Sequence, residues 1–521
     1  MKKTKYSVLE ALALLTAANF VHAQDGPFTD GAVDLRVRMR RLPMLAAKDA
    51  HVTTVQLEPT LRPANATDQG NVPIGKREEV GYVRQVIPGT IPPPQWAKLP
   101  DGAHVWKLEL HSPGAEGLRV HFAEPLEPGL NLRVYDSLGG TVRALADRQV
   151  KQRLVGWWAP TIFGDTIGIE FHIPSGTPIP PAVPTIDQVA YLFPCQCHDG
   201  FPPGNPLACH NDISCSNSWK TAEGRAVAVM YFVPTGGTCA RCTGALLNRQ
   251  PGDLSPMFMT ANHCLSTQAE ADTTEFFWLH ETPSCNGAGP NLNDADRTDG
   301  ALLLKRNPAT DFILLGLYEP PATNVYIGWD AGSWSSGGNA TGVHHPRGSF
   351  KRISFGSSAG SSENVGFDAD NDGDADFFVD VWDVSYTNGT TEPGSSGSPI
   401  FDAARRMRGT LTGGLSGCAT ITAYYGRFSD AFARLKYFLE DVSVASPVHV
   451  DGGEAGDPGQ AGTTERGTAA NPFNTVYEAT FAVRSNDRVL IEPGTYRETF
   501  VLWRPMTLER SGATGSVVIG P

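Results

Sequence analysis

The chain has 521 residues, too many for one compact domain; at about 150 residues per unit, three or four units are expected. Lys plus Arg number 42 against 55 Asp plus Glu, a net charge of −13, which excludes the broad basic surface of a general nucleic-acid binder. The 55 Gly, 40 Pro and 19% charged residues, where about 25% charged is usual, favour turn-rich β structure over long helices. Nine cysteines leave at least one thiol without an intramolecular partner if the rest pair.

The N-terminus reads Met1-Lys2-Lys3-Thr4-Lys5, followed by a mostly apolar stretch from Val8 to Val21, interrupted by Glu10, and then Val21-His22-Ala23. A basic start, an apolar segment and a small residue at the cut describe a secretory signal over residues 1–23. No later stretch approaches the ~18 uninterrupted apolar residues of a membrane span. The expectation is a secreted protein, extracellular or periplasmic, without a membrane span. In that setting cysteines form bridges more readily than metal sites.

From Gln24 to Gln95 the pattern is weak. Between Val105 and His172 it sharpens: Trp106, Leu108 and Leu110 alternate with Lys107, Glu109 and His111, and Leu118, Val120 and Phe122 with Arg119 and His121. Period two predicts half-buried strands, hence a β-sandwich over about 100–175. A Pro-rich tract from Ile173 to Pro203 reads as an extended connector. Cys209 to Val442 carries short apolar runs between turn residues, with strands expected at Val227–Val233, Met257–Met259, Phe276–Leu279 and Phe312–Leu315. It ends in a helix whose expected N-cap is Ser429-Asp430, with Phe432, Leu435, Phe438 and Leu439 on one face. Residues 443–466 turn to Gly, Asp and Pro and read as a linker, and 467–521 regain strand signals.

Three local patterns carry chemistry. Thr260-Ala261-Asn262-His263-Cys264 puts a histidine just past an apolar strand, a place where a lone histidine is more often structural than catalytic. Asp311 opens the apolar run Phe312-Ile313-Leu314-Leu315, where a carboxylate is costly to bury unless hydrogen-bonded. In Glu392-Pro393-Gly394-Ser395-Ser396-Gly397-Ser398-Pro399 two glycines bracket a pair of serines and permit the tight backbone that aims amide N–H groups at a reacting carbonyl. Any one of these is weak. Together they supply a nucleophile, a base to take its proton and an acid to hold the base.

In that order the motifs resemble those of the trypsin-like serine proteases, Thr-Ala-x-His-Cys, Asp-hydrophobic-x-Leu-Leu and Gly-x-Ser-Gly-x-Pro. The likeness is greatest to the bacterial lysyl endopeptidase branch, through Cys209-His210-Asn211-Asp212-Ile213-Ser214-Cys215, Gly328-Trp329-Asp330, His344-His345-Pro346, Lys351-Arg352-Ile353-Ser354, Thr391 to Ile400 and Tyr425-Gly426-Arg427. It implies a mainly β protein with a trypsin-like double antiparallel β-barrel over 207–442. A pro-region at 24–206 would assist folding or block the site. His263 is then the general base, Asp311 its orienting acid and Ser396 the nucleophile of a serine endopeptidase. The N–H groups of Gly394 and Ser396 form the oxyanion hole, and no cofactor is required for catalysis.

Where lysine-specific members of the branch carry an aspartate before Tyr-Gly-Arg and a histidine before Gly-Gly, this chain has Ala423 and Thr412, the latter ahead of Gly413 and Gly414. Thr390 adds no charge at the other usual pocket position. A buried ammonium would lack a partner, so an uncharged P1 residue is expected in place of Lys. The resemblance also implies three disulfides, Cys209–Cys418, Cys215–Cys285 and Cys242–Cys264. Cys195, Cys197 and Cys239 remain, one pair and one spare thiol, with a zinc reading (Cys195, Cys197, His198, Cys209, His210) and a Cys239/Cys242 redox pair as alternatives.

Asp368, Asp370, Asp372, Asp374 and Asp376 stand at alternate positions around Gly373 and resemble extracellular calcium loops. Val379 occupies the place of the usual final Glu, and a solvated acidic loop is the plain alternative. A structural calcium is expected at most. The last segment, from Gly467 through Tyr496, resembles the entry to a right-handed parallel β-helix. Only one to two coils fit before Pro521, where roughly three or more are needed for stability, so the chain is either shortened or docked on another surface. The expected partners are protein or peptide substrates, with cell-surface or polysaccharide contact through the tail by analogy only. The rival function is an inactive protease-like adhesion module.

Overall fold

The computed structural model describes residues 28–29, 51–59, 77–136, 142–145, 156–193, 206–250, 252–253, 255–368, 372–419, 421–453, 465–498 and 500–520. The expected signal, Cys195, Cys197 and Asp370 lie outside them.

Two sheets make the N-terminal sandwich. In one, His104–His111 pairs in parallel with Val52–Gln56 and antiparallel with Thr166–Ile173, which carries Asn131–Asp136 on its other edge. In the other, Ile186–Leu192 lies between Gly117–Phe122 and Glu78–Gln85. Trp106, Leu108, Leu110, Leu118, Val120, Phe122 and Phe171 share one core, and the Trp106 and Phe171 rings stack 5.0 Å apart. The period-two faces were legible, but the polar positions were not all exposed. Lys107 is buried against Glu170, and Arg119 is buried because the outer face of its sheet packs on the next unit.

The second sandwich sheet does not end at its own edge. Glu78–Gln85 continues by antiparallel hydrogen bonding onto Thr238–Leu247, a strand of the first barrel. That barrel comprises Val227–Phe232, Thr238–Leu247, Met257–Thr260, Glu275–Trp278, the run Asp296–Asn307 bent at Gly300, and Phe312–Leu317. The second barrel closes on itself: Arg352–Phe367, Asn339–His344, Pro399–Phe401, Met407–Gly414, Ile421–Arg427 and Phe377–Asn388 pair in that order, and the last pairs with the first. The terminal helix runs Phe428–Leu439 and buries Leu435, Phe438 and Leu439 as expected. Its N-cap is Arg427 rather than Ser429-Asp430, with Asp430 inside the first turn paired to Arg427 at 2.6 Å.

Within the expected linker, Val448–Val450 forms a strand parallel to Arg488–Ile491, which is parallel in turn to Thr507–Arg510; Gly494–Tyr496 and Val517–Ile519 form a second parallel pair. This segment shares its core with the first barrel. Phe481 sits 2.5 Å from the place a Cβ would take on Gly316. Arg249 donates to the carbonyls of Phe481 at 2.6 Å and Ala482 at 2.8 Å. The short coil therefore buries its face on a neighbour instead of on further coils.

Helix Val476–Ala482 is entirely buried in this contact. Burial, with the Glu465 carboxylate nearby, pushes the Glu478 carboxyl up to about 8, while burial lowers the facing Lys305 ammonium. A carboxyl raised in the folded state contributes stability that is full below its ordinary value near 4.5 and is lost as pH climbs to about 8. Glu478→Gln should flatten the fall in melting temperature between those pH values; an unchanged slope would count against this coupling.

Candidate active site

Asp311 ends the short turn Pro308–Thr310 in the left-handed region, φ 48° and ψ 42°. A non-glycine residue held there costs about 1–3 kcal/mol unless its surroundings dictate the geometry. Here they do. The Asp311 carbonyl accepts from the Asn262 amide at 3.1 Å. Its Oδ1 accepts from the His263 amide at 2.8 Å and its Oδ2 from His263 Nδ1 at 2.8 Å. With Nδ1 donating to the carboxylate, Nε2 is left with its lone pair facing away from Asp311. Phe377 stacks over the imidazole at 6.3 Å, its plane tilted by 21°. No sequence signal singled out this phenylalanine, which arrives from the far end of the long hairpin.

The loop bearing Ser396 is tied to the same place through Thr243. Its amide donates to the Ser396 carbonyl at 2.8 Å and its hydroxyl to the Gly394 carbonyl at 2.9 Å. The preceding residue, Cys242, is bridged to Cys264, beside His263. Two glycines are obligatory. Gly397 has φ 80°, and a Cβ there would stand 2.0 Å from Thr260 Oγ1; Gly394 has φ 87°, and its Cβ would meet Glu78 Oε2 at 2.8 Å and the Arg347 amide at 3.0 Å. Ser396 is 8% exposed.

Glu392 braces this loop, a role unassigned from sequence although the residue lies in the quoted motif. Its carboxylate accepts from Leu207 N at 2.7 Å, His210 Nε2 at 2.8 Å and Arg347 Nε at 2.7 Å. Burial alone would raise its pKa, but the hydrogen bonds from His210 and the Leu207 amide, with the Arg347 charge, hold it below the usual carboxylate value. Burial lowers the His210 pKa, so a neutral imidazole donates. His344, also held neutral by burial, links Ser395 Oγ at 2.8 Å to Ser354 Oγ at 3.1 Å.

Of the expected pocket residues, Gly414 pairs with Ala423 and Gly413 with Tyr424 on adjacent strands. Ala423 is fully buried, and Thr390 Oγ1 accepts from the Gly417 amide at 3.4 Å. At the bulge between Leu411 and Gly413, Thr412 turns toward Gly426, whose Cβ position lies 3.4 Å from its Oγ1 and 2.7 Å from the Thr310 carbonyl. Thr412 thus stands beside the turn that carries Asp311.

The three disulfides form between Cys209 and Cys418, Cys215 and Cys285, and Cys242 and Cys264. This removes Cys209 from the zinc alternative and Cys242 from the redox alternative. Cys239 is free and buried, its thiol pushed up to about 12 by burial. In the acidic loop, Asp368 Oδ2 accepts from the Gly373 amide and Asp372 Oδ1 from the Asp374 amide, each at 2.9 Å. Asp374 and Asp376 are exposed. Among the described residues no three acidic, His or Cys side chains group as a metal site requires, and Asp370, in the middle of this loop, lies outside them.

Compared with known proteins, residues 204–431 match the family described as "Lysyl endopeptidase, C-terminal domain" and 53–193 match "Lysyl endopeptidase N-terminal domain". A lysyl endopeptidase of Pseudomonas aeruginosa is 30% identical over 368 residues, covering 66% of this chain and 77% of that protein. The chain belongs to the lysyl endopeptidase family. It is accordingly a serine protease. Solved structures similar to it include the Rv3671c protease of M. tuberculosis in its active form, with 15% identity, 45% of this chain and 92% of that one covered, and a TM-score of 0.31. Another is the HtrA-type protease AlgW with tripeptide, with 16% identity, 42% and 62% covered, and a TM-score of 0.29.

In this member of the lysyl endopeptidase family the loop that carries Ser396 hangs on a buried carboxylate. Glu392→Ala strands Arg347 and His210 beside a void and should destabilise the protein by on the order of 3 kcal/mol, read as a shifted denaturation midpoint. In the wild type this contribution is present above pH about 4.5, the ordinary value for the unfolded carboxyl, and is lost as pH falls through its depressed folded value.

Proposed function

We propose that this family member is a secreted serine endopeptidase, made as a precursor, that cleaves protein or peptide substrates through His263, Asp311 and Ser396. The observation that carries the reading is the His263 Nδ1 to Asp311 Oδ2 contact of 2.8 Å beside a nucleophile loop in which Gly394 and Gly397 adopt φ values open only to glycine. His263 Nε2 takes the Ser396 proton as Oγ attacks the scissile carbonyl, and the amides of Gly394 and Ser396 receive the oxyanion. Collapse of the tetrahedral adduct breaks the C–N bond, and His263 returns the proton to the leaving amine. Water, deprotonated by the same nitrogen, then hydrolyses the acyl-enzyme. Asp311 keeps the imidazole in the required tautomer and stabilises the imidazolium.

The precursor reading is supported by the N-terminal strand, where Arg77 and Glu78 reach both Cys264 and Gly394. Three disulfides fit an oxidising compartment, and among the described residues no helix is long and apolar enough to cross a membrane. The P1 residue is taken as uncharged and small or apolar, because Thr390, Gly413, Gly414 and Ala423 offer no carboxylate.

A fluorophosphonate should label the processed wild type and not Ser396→Ala, with a fall in kcat on the order of a million-fold; Ser396-independent labelling, or none, would favour the inactive adhesion module. Chromogenic peptides differing only at P1 should show uncharged residues preferred, and a tenfold or greater preference for Lys would overturn the pocket assignment.

A further inference from the structure

The way the N-terminal strand sits in the cleft bears on which substrates the enzyme takes. Glu78 lies opposite Arg241 and Glu79 opposite Ala240 in the antiparallel pairing. The Arg241 guanidinium grips the Glu78 carboxylate with two bonds, Nε to Oε2 at 2.5 Å and Nη2 to Oε1 at 2.7 Å. The same Oε2 lies 2.8 Å from the place a Cβ would take on Gly394, two residues before the proposed nucleophile. One residue earlier, Arg77 donates to the carbonyl of Cys264, next to His263, at 3.3 Å. Consecutive residues of the strand therefore span the cleft from the histidine loop to the nucleophile loop.

Arg241 is 9% exposed. Its further contact is the neutral Tyr231 hydroxyl at 3.5 Å, and among the described residues Glu78 is the carboxylate paired with it. Removing the sandwich takes away the carboxylate that grips the Arg241 guanidinium with two bonds, and a guanidinium that has lost such a partner favours an anionic newcomer. The side of the cleft follows from the barrels. The pocket residues Gly413, Gly414 and Ala423 belong to the second barrel, whereas Arg241 precedes Cys242 on the first barrel, at the bridge to Cys264. A substrate with its P1 side chain in the second barrel and its scissile bond over Ser396 leaves across that bridge, past Arg241.

We propose that Arg241 is a specificity determinant on the leaving-group side, selecting peptides with an acidic residue where Glu78 now sits, and that Glu78 is the tethered mimic of that residue. This rests on the serine endopeptidase reading above.

The test uses enzyme secreted from the full chain and processed, with competent sites counted by fluorophosphonate titration. Peptides carry Glu, or Gln as control, at each of the first three positions after the scissile bond. Glu should be favoured about tenfold or more in kcat/KM at one of them. Arg241→Gln should bring that ratio near one, and Arg241→Lys should retain part of it. A wild-type ratio within about twofold at all three positions overturns the proposal even if no variant folds, as does a preference that persists in Arg241→Gln. Absence of Ser396-dependent turnover on every peptide would instead overturn the endopeptidase reading on which it rests.

Discussion

One β-strand, Thr238–Leu247, is the piece on which the other parts depend. Its outer edge pairs with Glu78–Gln85 of the sandwich. Farther along that same edge, residues 245–247 pair with Met257–Thr260, and the opposite edge pairs with Val227–Phe232 of the first barrel. Along its length Arg241 meets Glu78, Cys242 is bonded to Cys264, and Thr243 holds the carbonyls of Gly394 and Ser396. Backbone ladders are rigid and directional, so a strand used on both edges sets the distance between the histidine loop and the nucleophile loop.

The contacts between units are rich in buried charge. Where the sandwich meets the first barrel, Glu275 is held by Arg297 at 2.9 Å and Arg119 at 3.6 Å, and the Thr161 amide donates to it at 2.8 Å. Burial opposes the Glu275 charge, and the two guanidinium groups outweigh it. At the C-terminal segment, Arg249 of the barrel bonds the Phe481 carbonyl, and Arg504 of the segment pairs with Asp253 at 3.3 Å. Buried ion pairs give modest net stability but a large penalty when one partner is removed. They specify one docked arrangement and make a half-docked one costly. An apolar seam of similar size would tolerate sliding, and the cleft contacts of Arg77 and Glu78 do not.

Much of the site was legible in the residues. A histidine after an apolar strand, an acid before another and a serine between glycines are each weak alone and pointed to one site together, and the first two meet at 2.8 Å. The glycine positions were legible because positive φ and close backbone approach exclude a Cβ. The strand alternation of Trp106, Leu108 and Leu110 was legible because the pleat has period two. The burial of Lys107 and Arg119 was not, since both are covered by residues far along the chain. Glu392 and Phe377 escaped for the same reason, their partners lying on other strands.

The sequence by itself determined the residue types of the candidate site and, through the family likeness, which cysteines pair, because these reside in short motifs. It also carried the strand signals of the C-terminal segment, where parallel strands form. Only the tertiary structure decided what covers the C-terminal segment, through Phe481 against Gly316, and where the sandwich edge joins the barrel, through Glu78 against Arg241 at a sequence separation of 163. Those contacts depend on surfaces built by distant strands, and no local pattern of residue types encodes which surface a buried charge or an uncovered apolar face will meet.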